Sequence, residues 1–217
     1  MGRTGRLFIV LLFFTLTVAL TNSALAKLIP DPVGDTFGDG LIDIINMDVQ
    51  FDSDNLYISA NFASQVSEPG TGNPYDLYGF IDLDVDQDPS TGGPAWSDLL
   101  FGASTDIGSD YFIMFDFTAP PDGLVQLYAF GTPTSPFIDD VPISFYTRSF
   151  SATVPLGVIG DDGWVNYGAV FGTINGPNDL VPNDGYATSQ AVPEPATMLL
   201  LGSGLIGLAG LRRSFNR

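Results

Sequence analysis

The chain has 217 residues, with 25 acidic and 7 basic side chains, a formal charge of −18, and neither cysteine nor histidine. That balance argues against a nucleic-acid partner, and the missing residue types exclude cysteine/histidine zinc sites, thiol chemistry and histidine bases. The 25 glycines and 16 prolines point to a turn-rich folded protein. The length suits one domain of roughly 100 to 200 residues with short appendages.

At the N-terminus, Arg3 and Arg6 precede an apolar run from Leu7 to Leu20, which leads into the small residues Ser23, Ala24, Leu25 and Ala26. The run is shorter than the ~20 residues a membrane span needs, and Ala24 and Ala26 supply an A-x-A cleavage site. These features predict a secretory signal peptide over residues 1–26, removed by signal peptidase so that the mature chain begins at Lys27.

Between Lys27 and Val192 lie 24 of the 25 acids, against Lys27 and Arg148 as cations. All acids except Glu68 and Glu194 are aspartate, which favours turns and caps over helix interiors, so helices should be scarce. Ile45, Met47, Val49 and Phe51 alternate with polar residues. The turn Asp52–Asn55 then leads into Leu56, Ile58, Ala60 and Phe62, the pattern of a hairpin with one buried face. Further strands are predicted over 77–85, 99–102, 111–117, 124–130, 143–147, 150–154 and 164–171. About nine short strands separated by Gly, Pro and Asp turns predict an all-β fold, an antiparallel β-sandwich over residues 27–188. Residues 189–192 read as a linker.

Within the predicted strand over 77–85, Asp82, Asp84 and Asp86 share one face while Ile81, Leu83 and Val85 share the other, and Asp88 continues into the loop. Four carboxylates this close repel one another unless a cation or solvent separates them. Calcium takes about six to eight oxygens, which these aspartates, loop carbonyls and Ser90 or Thr91 could supply. Two readings stay open: a calcium site, and a solvated polar face on an edge strand. The run is not an EF-hand, because with Asp84 first the turn glycine would be Pro89 and the bidentate glutamate would be Ala95. A second run, Asp31, Asp35 and Asp39, has glycines that would let backbone wrap an ion, but a spacing of four matches no defined loop and reads first as solvated.

Trp96 and Tyr75 fall in loops, where an indole or phenol could pack against the apolar face of a sugar ring, whereas Trp164 begins a strand and reads as core. Asp139–Asp140 and Asp161–Asp162 are the carboxylate pairs one would consider for glycoside hydrolysis. Neighbours on a strand point to opposite faces, so neither pair converges on a substrate; no catalytic residue is assigned and a non-catalytic protein is expected.

At the C-terminus, Pro193, Glu194 and Pro195 introduce an apolar run from Ala196 to Leu211 that stops at Arg212 and Arg213. As a helix the run would be roughly 24 Å long, a short transmembrane span with its arginines on the cytoplasmic side. Residues 192–217 resemble the PEP-CTERM sorting signal in tripeptide, span and basic end, and residues 193–217 are read as that signal. The resemblance implies recognition by an exosortase, a membrane cysteine peptidase cutting near Pro193–Pro195. Before that cut the helix would hold the chain in the inner membrane; afterwards the protein would be exported, at the cell surface or outside the cell.

Residues 30–188 are in turn similar to type-nine carbohydrate-binding modules and DOMON-like sandwiches. The similarity lies in the D-P-x-G-D opening at Asp31–Asp35, the strand and loop Asp82–Gly92, Gly108–Tyr111, Phe150–Pro155 and Asp179–Pro182. It implies binding rather than catalysis, often with calcium in the framework and an extracellular polysaccharide as ligand. Val154-Pro155-Leu156 departs from the pattern by lacking the acid that commonly precedes this proline. The expected function is a calcium-stabilised glycan-binding module; the alternative is a passive acidic matrix protein.

Overall fold

The computed structural model describes residues 28–102, 105–116, 123–131, 134–160 and 163–191. The cleavage site at Ala24 and Ala26, the Asp161–Asp162 pair, the tripeptide Pro193–Pro195 and the expected transmembrane helix lie outside the described residues. Among the described residues no helix is long and apolar enough to cross a membrane.

The hairpin predicted around Asp52 forms as β2 (Ile44–Phe51) and β3 (Asn55–Phe62). One Asp52 carboxylate oxygen closes its turn, accepting the backbone N–H groups of Asp54 and Asn55 at 2.8 and 2.7 Å. Leu56, Ile58, Ala60 and Phe62 are buried as the alternation requires. In β2 a register shift between Ile44 and Asn46 changes the face presented, so Ile44, Met47 and Val49 are buried and Ile45 is only half-buried.

β1 (Ile29–Pro30) borders β2. Beyond β3 follow β10 (Ser149–Pro155), β9 (Phe137–Tyr146), β8 (Leu124–Ala129), β7 (Tyr111–Phe115), β4 (Tyr78–Asp84), β11 (Trp164–Thr173) and β12 (Gly176–Val181). β13 (Ala187–Gln190) pairs with the first residues of β11, and β5 (Gly93–Pro94) with β6 (Gly108–Ser109) forms a separate ribbon. All these pairs are antiparallel, and about 52% of the described residues are strand.

The large sheet is one hydrogen-bonded path that doubles back at β9, whose residues Phe137–Pro142 pair with β8 and Ile143–Tyr146 with β10. Strands far apart along that path therefore face each other across the core. The Phe62 ring of β3 and the Phe150 ring of β10 lie 5.9 and 5.6 Å from Phe171 of β11, and Phe115 of β7 lies 5.1 Å from Phe150. These rings and their aliphatic neighbours are almost fully buried, which makes the doubled sheet the main source of hydrophobic stabilisation.

The structure revises several sequence expectations. Residues 99–102 are not a strand: α1 (Trp96–Phe101) is a short helix ended by Gly102 at φ 66°, whose N–H donates to the Asp98 carbonyl at 2.8 Å. Leu99 and Leu100 are exposed, and so short an apolar run carries no periodicity that separates helix from strand. A second short helix, α2 (Leu156–Ile159), follows β10. β9 begins at Phe137 and takes in Asp139 and Asp140, ahead of the predicted strand over 143–147. β12 was not expected. β13 takes up Ser189 and Gln190, where the linker was expected; Ser189 is buried and its hydroxyl donates to the Val49 carbonyl at 2.5 Å. Trp164, expected in the core, is 42% exposed at the start of β11.

Candidate cation site on β4

β4 lies between β7 and β11 rather than at an edge, and this decides the fate of its acids. Ile81 and Leu83 fill the core while Asp82 and Asp84 point to the opposite face. Both carboxylates are buried there, at 0% and 1% exposure, so the solvated-edge reading does not hold for them.

Asp82 is fully engaged. Its Oδ2 accepts the Trp96 N–H at 2.9 Å and its Oδ1 accepts the Ser109 hydroxyl at 3.1 Å, tying the start of α1 to the sheet. Burial raises its pKa to about 7, these hydrogen bonds opposing the shift and Asp98 adding to it. Asp84 is different. Asn166 Nδ2 donates to Oδ2 at 3.1 Å, but Oδ1 is buried with no hydrogen-bond partner. Burial raises this pKa too, Asn166 and the Gln87 backbone N–H opposing the shift and Asp110 and Asp86 adding to it.

Carboxylate oxygens of Asp84, Asp86 and Asp110 lie within 4.8 Å of one another. Asp110 was not among the expected ligands; the loop path delivers it. A Cβ on Gly92, at φ +63°, would stand 2.3 Å from the Ser109 carbonyl oxygen, and one on Gly108 would stand 2.5 Å from the carbonyl oxygens of Asp88 and Thr91. Only glycine at these two positions lets the loop lie flat against Ser109–Asp110. Asp110 Oδ2 then accepts the N–H groups of Val85 and Asp86 at 2.9 and 3.3 Å. Asp88 turns away to an exposed turn of its own, accepting the Ser90 N–H at 2.9 Å and hydroxyl at 2.6 Å, which lower its pKa. Of the four expected ligands, Asp84 and Asp86 come together, and Asp82 and Asp88 do not.

Three carboxylates at this separation repel strongly, and Arg148, the one basic residue among those described, belongs to the turn joining β9 to β10. An all-oxygen donor set of this charge matches a hard cation such as calcium, and loop carbonyls could complete its shell. The orphaned Asp84 Oδ1 is the specific fit, since a buried acceptor without a partner costs about 1–3 kcal/mol.

A family model of the PEP-CTERM protein-sorting motif matches residues 191–214, which contain Pro193, Glu194, Pro195, Arg212 and Arg213. The chain carries a PEP-CTERM protein-sorting motif at its C-terminal end. The motif implies an exported protein, anchored by its C-terminal region before an exosortase processes it. No curated protein and no solved structure matches the chain.

Trp96 is half-buried and stacked on Phe80, with ring centroids 4.2 Å apart and planes at 11°, and meets Phe112 edge-on at 5.5 Å. Its Nε1 is buried without a hydrogen-bond partner. Tyr75 is half-buried in the loop between β3 and β4, its N–H donating to Asn73 Oδ1 at 3.0 Å and its carbonyl accepting the Ser67 N–H at 2.9 Å. Asp139 and Asp140 are exposed neighbours on β9. Asp39 accepts from Thr173 and Asn175. Asp31 and Asp35 instead converge on Asp179.

Proposed function

We propose that this PEP-CTERM protein is an exported, non-catalytic component of the cell surface or extracellular matrix, with a β-domain stabilised by calcium at Asp84, Asp86 and Asp110. The observation carrying the reading is the buried Asp84 carboxylate, whose Oδ1 has no hydrogen-bond partner and which has an oxygen within 4.8 Å of carboxylate oxygens of Asp86 and Asp110. A chain with 24 acids between Lys27 and Val192 repels itself when compact, and a cation held only by the folded state opposes that repulsion. Extracellular calcium sites bind with Kd of about 10⁻⁴ to 10⁻³ M, so millimolar calcium would contribute roughly 0.4 to 1.4 kcal/mol per site. Asp139 and Asp140 stand in the open on one strand, a poor arrangement for the enclosed, converging carboxyl pair of glycoside hydrolysis.

Glycan or exopolysaccharide binding is the second reading. A half-buried indole stacked on Phe80, on the segment that Asp82 ties to β4, favours it. The full-length chain, purified in detergent and applied to a glycan array in calcium and in chelator, tests both readings. Calcium-dependent retention that is lost in Trp96→Ala and Tyr75→Ala supports the glycan module. Calcium stabilisation without retention leaves the passive acidic matrix protein. Processing is tested separately by mass spectrometry of the native exported protein, in which no peptide from Leu199 to Arg217 is expected; an intact tail on the mature surface form would contradict it.

A further inference from the structure

We infer that Asp31, Asp35, Asp43 and Asp179 form a second site for a hard divalent cation, one that clasps the opening strands of the chain to β12. Carboxylate oxygens of Asp31, Asp35 and Asp179 lie within 4.8 Å of one another. Asp31 is 6% exposed, and its Oδ2 is buried with no hydrogen-bond partner. Asp43 flanks the group, and its Oδ1 is likewise buried without a partner, while its Oδ2 accepts the Gly34 N–H at 3.1 Å. Two residues thus carry orphaned acceptors in one crowded group of acids.

The remaining oxygens are held in place. Asp179 is fully buried: Oδ2 accepts the Ile44 N–H at 2.6 Å and Oδ1 the Leu180 N–H at 2.9 Å. Asn183 Nδ2 donates to Asp31 Oδ1 at 3.1 Å and to Asp35 Oδ2 at 2.5 Å. The Asp31 N–H donates to the Ile45 carbonyl at 2.8 Å, which fixes the segment that carries it. The acids come from the segment after β1, the residue before β2 and β12 itself, and Asn183 in the turn after β12 braces two of them. An ion there joins the two ends of the doubled sheet, which meet at β2 and β12.

Crowding shows in the ionisation of the group. Asp31 is pushed up to about 7, by burial first and then by Asp179, Asp35 and Asp43; Asp179 is raised to about 6, chiefly by burial. A bound proton would relieve charge, but it supplies one hydrogen bond, and the orphaned acceptors sit on two different side chains. A divalent ion answers both, and oxygen-only donors select calcium or magnesium over softer metals.

The inference stands apart from the β4 site, and one experiment separates them: equilibrium dialysis with radioactive calcium on the full-length chain in detergent near neutral pH. The expected result is two ions for the wild type, one lost in Asp35→Asn and the other lost in Asp84→Asn/Asp86→Asn. Asp35 is exposed, so Asp35→Asn tests ligation without disturbing the core, and circular dichroism in chelator checks that its fold is unchanged. Should Asp35→Asn misfold, Asp43→Asn takes its place with the same expectation. Wild-type calcium stoichiometry in folded Asp35→Asn, or in Asp43→Asn where that variant takes its place, would overturn the clasp, as would complete loss of bound calcium in Asp84→Asn/Asp86→Asn. An unchanged count in that double variant, with loss in Asp35→Asn, would instead remove the β4 site and keep the clasp.

Discussion

The carboxylates around β4 and those between β1 and β12 are assembled in different ways. Asp84 and Asp86 come from one short run and need only Asp110, brought in by a loop that two glycines flatten. The second group spans nearly the whole domain, with Asp179 reaching the Ile44 N–H across 135 residues of chain. A site built within one loop and its strand steadies that loop, whereas a site joining the two ends of a doubled sheet steadies the fold. Loss of the second should therefore cost more.

Asp179→Ala should show the largest effect, because it orphans the buried Ile44 N–H and takes the acceptor from the part-buried Leu180 N–H as well as removing a ligand. A loss of about 2 to 4 kcal/mol is expected even in chelator, measured by urea denaturation. Asp84→Ala removes an acid whose Oδ1 has no hydrogen bond to lose and should cost clearly less in the same assay. Equal losses would erase the distinction between the groups.

The pH dependence in chelator sharpens it further. Asp31 and Asp82 carry folded-state pKa values of about 7 against the ordinary 3.8, and Asp179 about 6, so the folded protein holds protons that the unfolded chain has released. Stability from these groups is fully present below about pH 4 and is lost as the pH rises through about 6 to 7. Asp39, Asp52 and Asp88, whose pKa values are lowered, stay ionised above about pH 4 and do not alter the trend there. The melting temperature in chelator should therefore be higher near pH 5 than near pH 8, and calcium should narrow the gap. A higher melting temperature at pH 8 in chelator would contradict the upward shifts that burial gives Asp31, Asp82 and Asp179.

Smaller effects follow. Asp84→Asn/Asp86→Asn should remove one site's calcium stabilisation, roughly 0.4 to 1.4 kcal/mol at millimolar calcium, and leave the rest. Asp88→Ala, in an exposed turn, should change stability by no more than ~0.5 kcal/mol and leave the calcium response intact. A lost calcium response in Asp88→Ala would return that residue to the site.

The contrast also explains what could be read in advance. The hairpin at Asp52 was legible because its turn and its alternation are local, and the sorting motif because its three parts are contiguous. The alternation of β4 was equally clear, but whether β4 is an edge or an interior strand depends on β7 and β11, which arrive later in the chain. That single unknown left the calcium site and the solvated face both open, and the interior position of β4 buries Asp82 and Asp84. Asp110 escaped notice because its approach depends on Gly92 and Gly108, although Gly108-Ser109-Asp110-Tyr111 stood out as a motif. Asp179 escaped because β12 was not expected. Leu99–Gly102 went wrong for the opposite reason: the signal was local, but too short to carry a period.

The most direct test of calcium as a structural element is the melting temperature of the full-length chain at constant ionic strength near pH 7.5, in millimolar calcium, in magnesium and in chelator. Calcium should raise it by about 1 to 6 °C per occupied site, and magnesium by less, because magnesium dehydrates reluctantly and demands near-octahedral geometry. Equal melting temperatures in calcium and in chelator would contradict both cation sites.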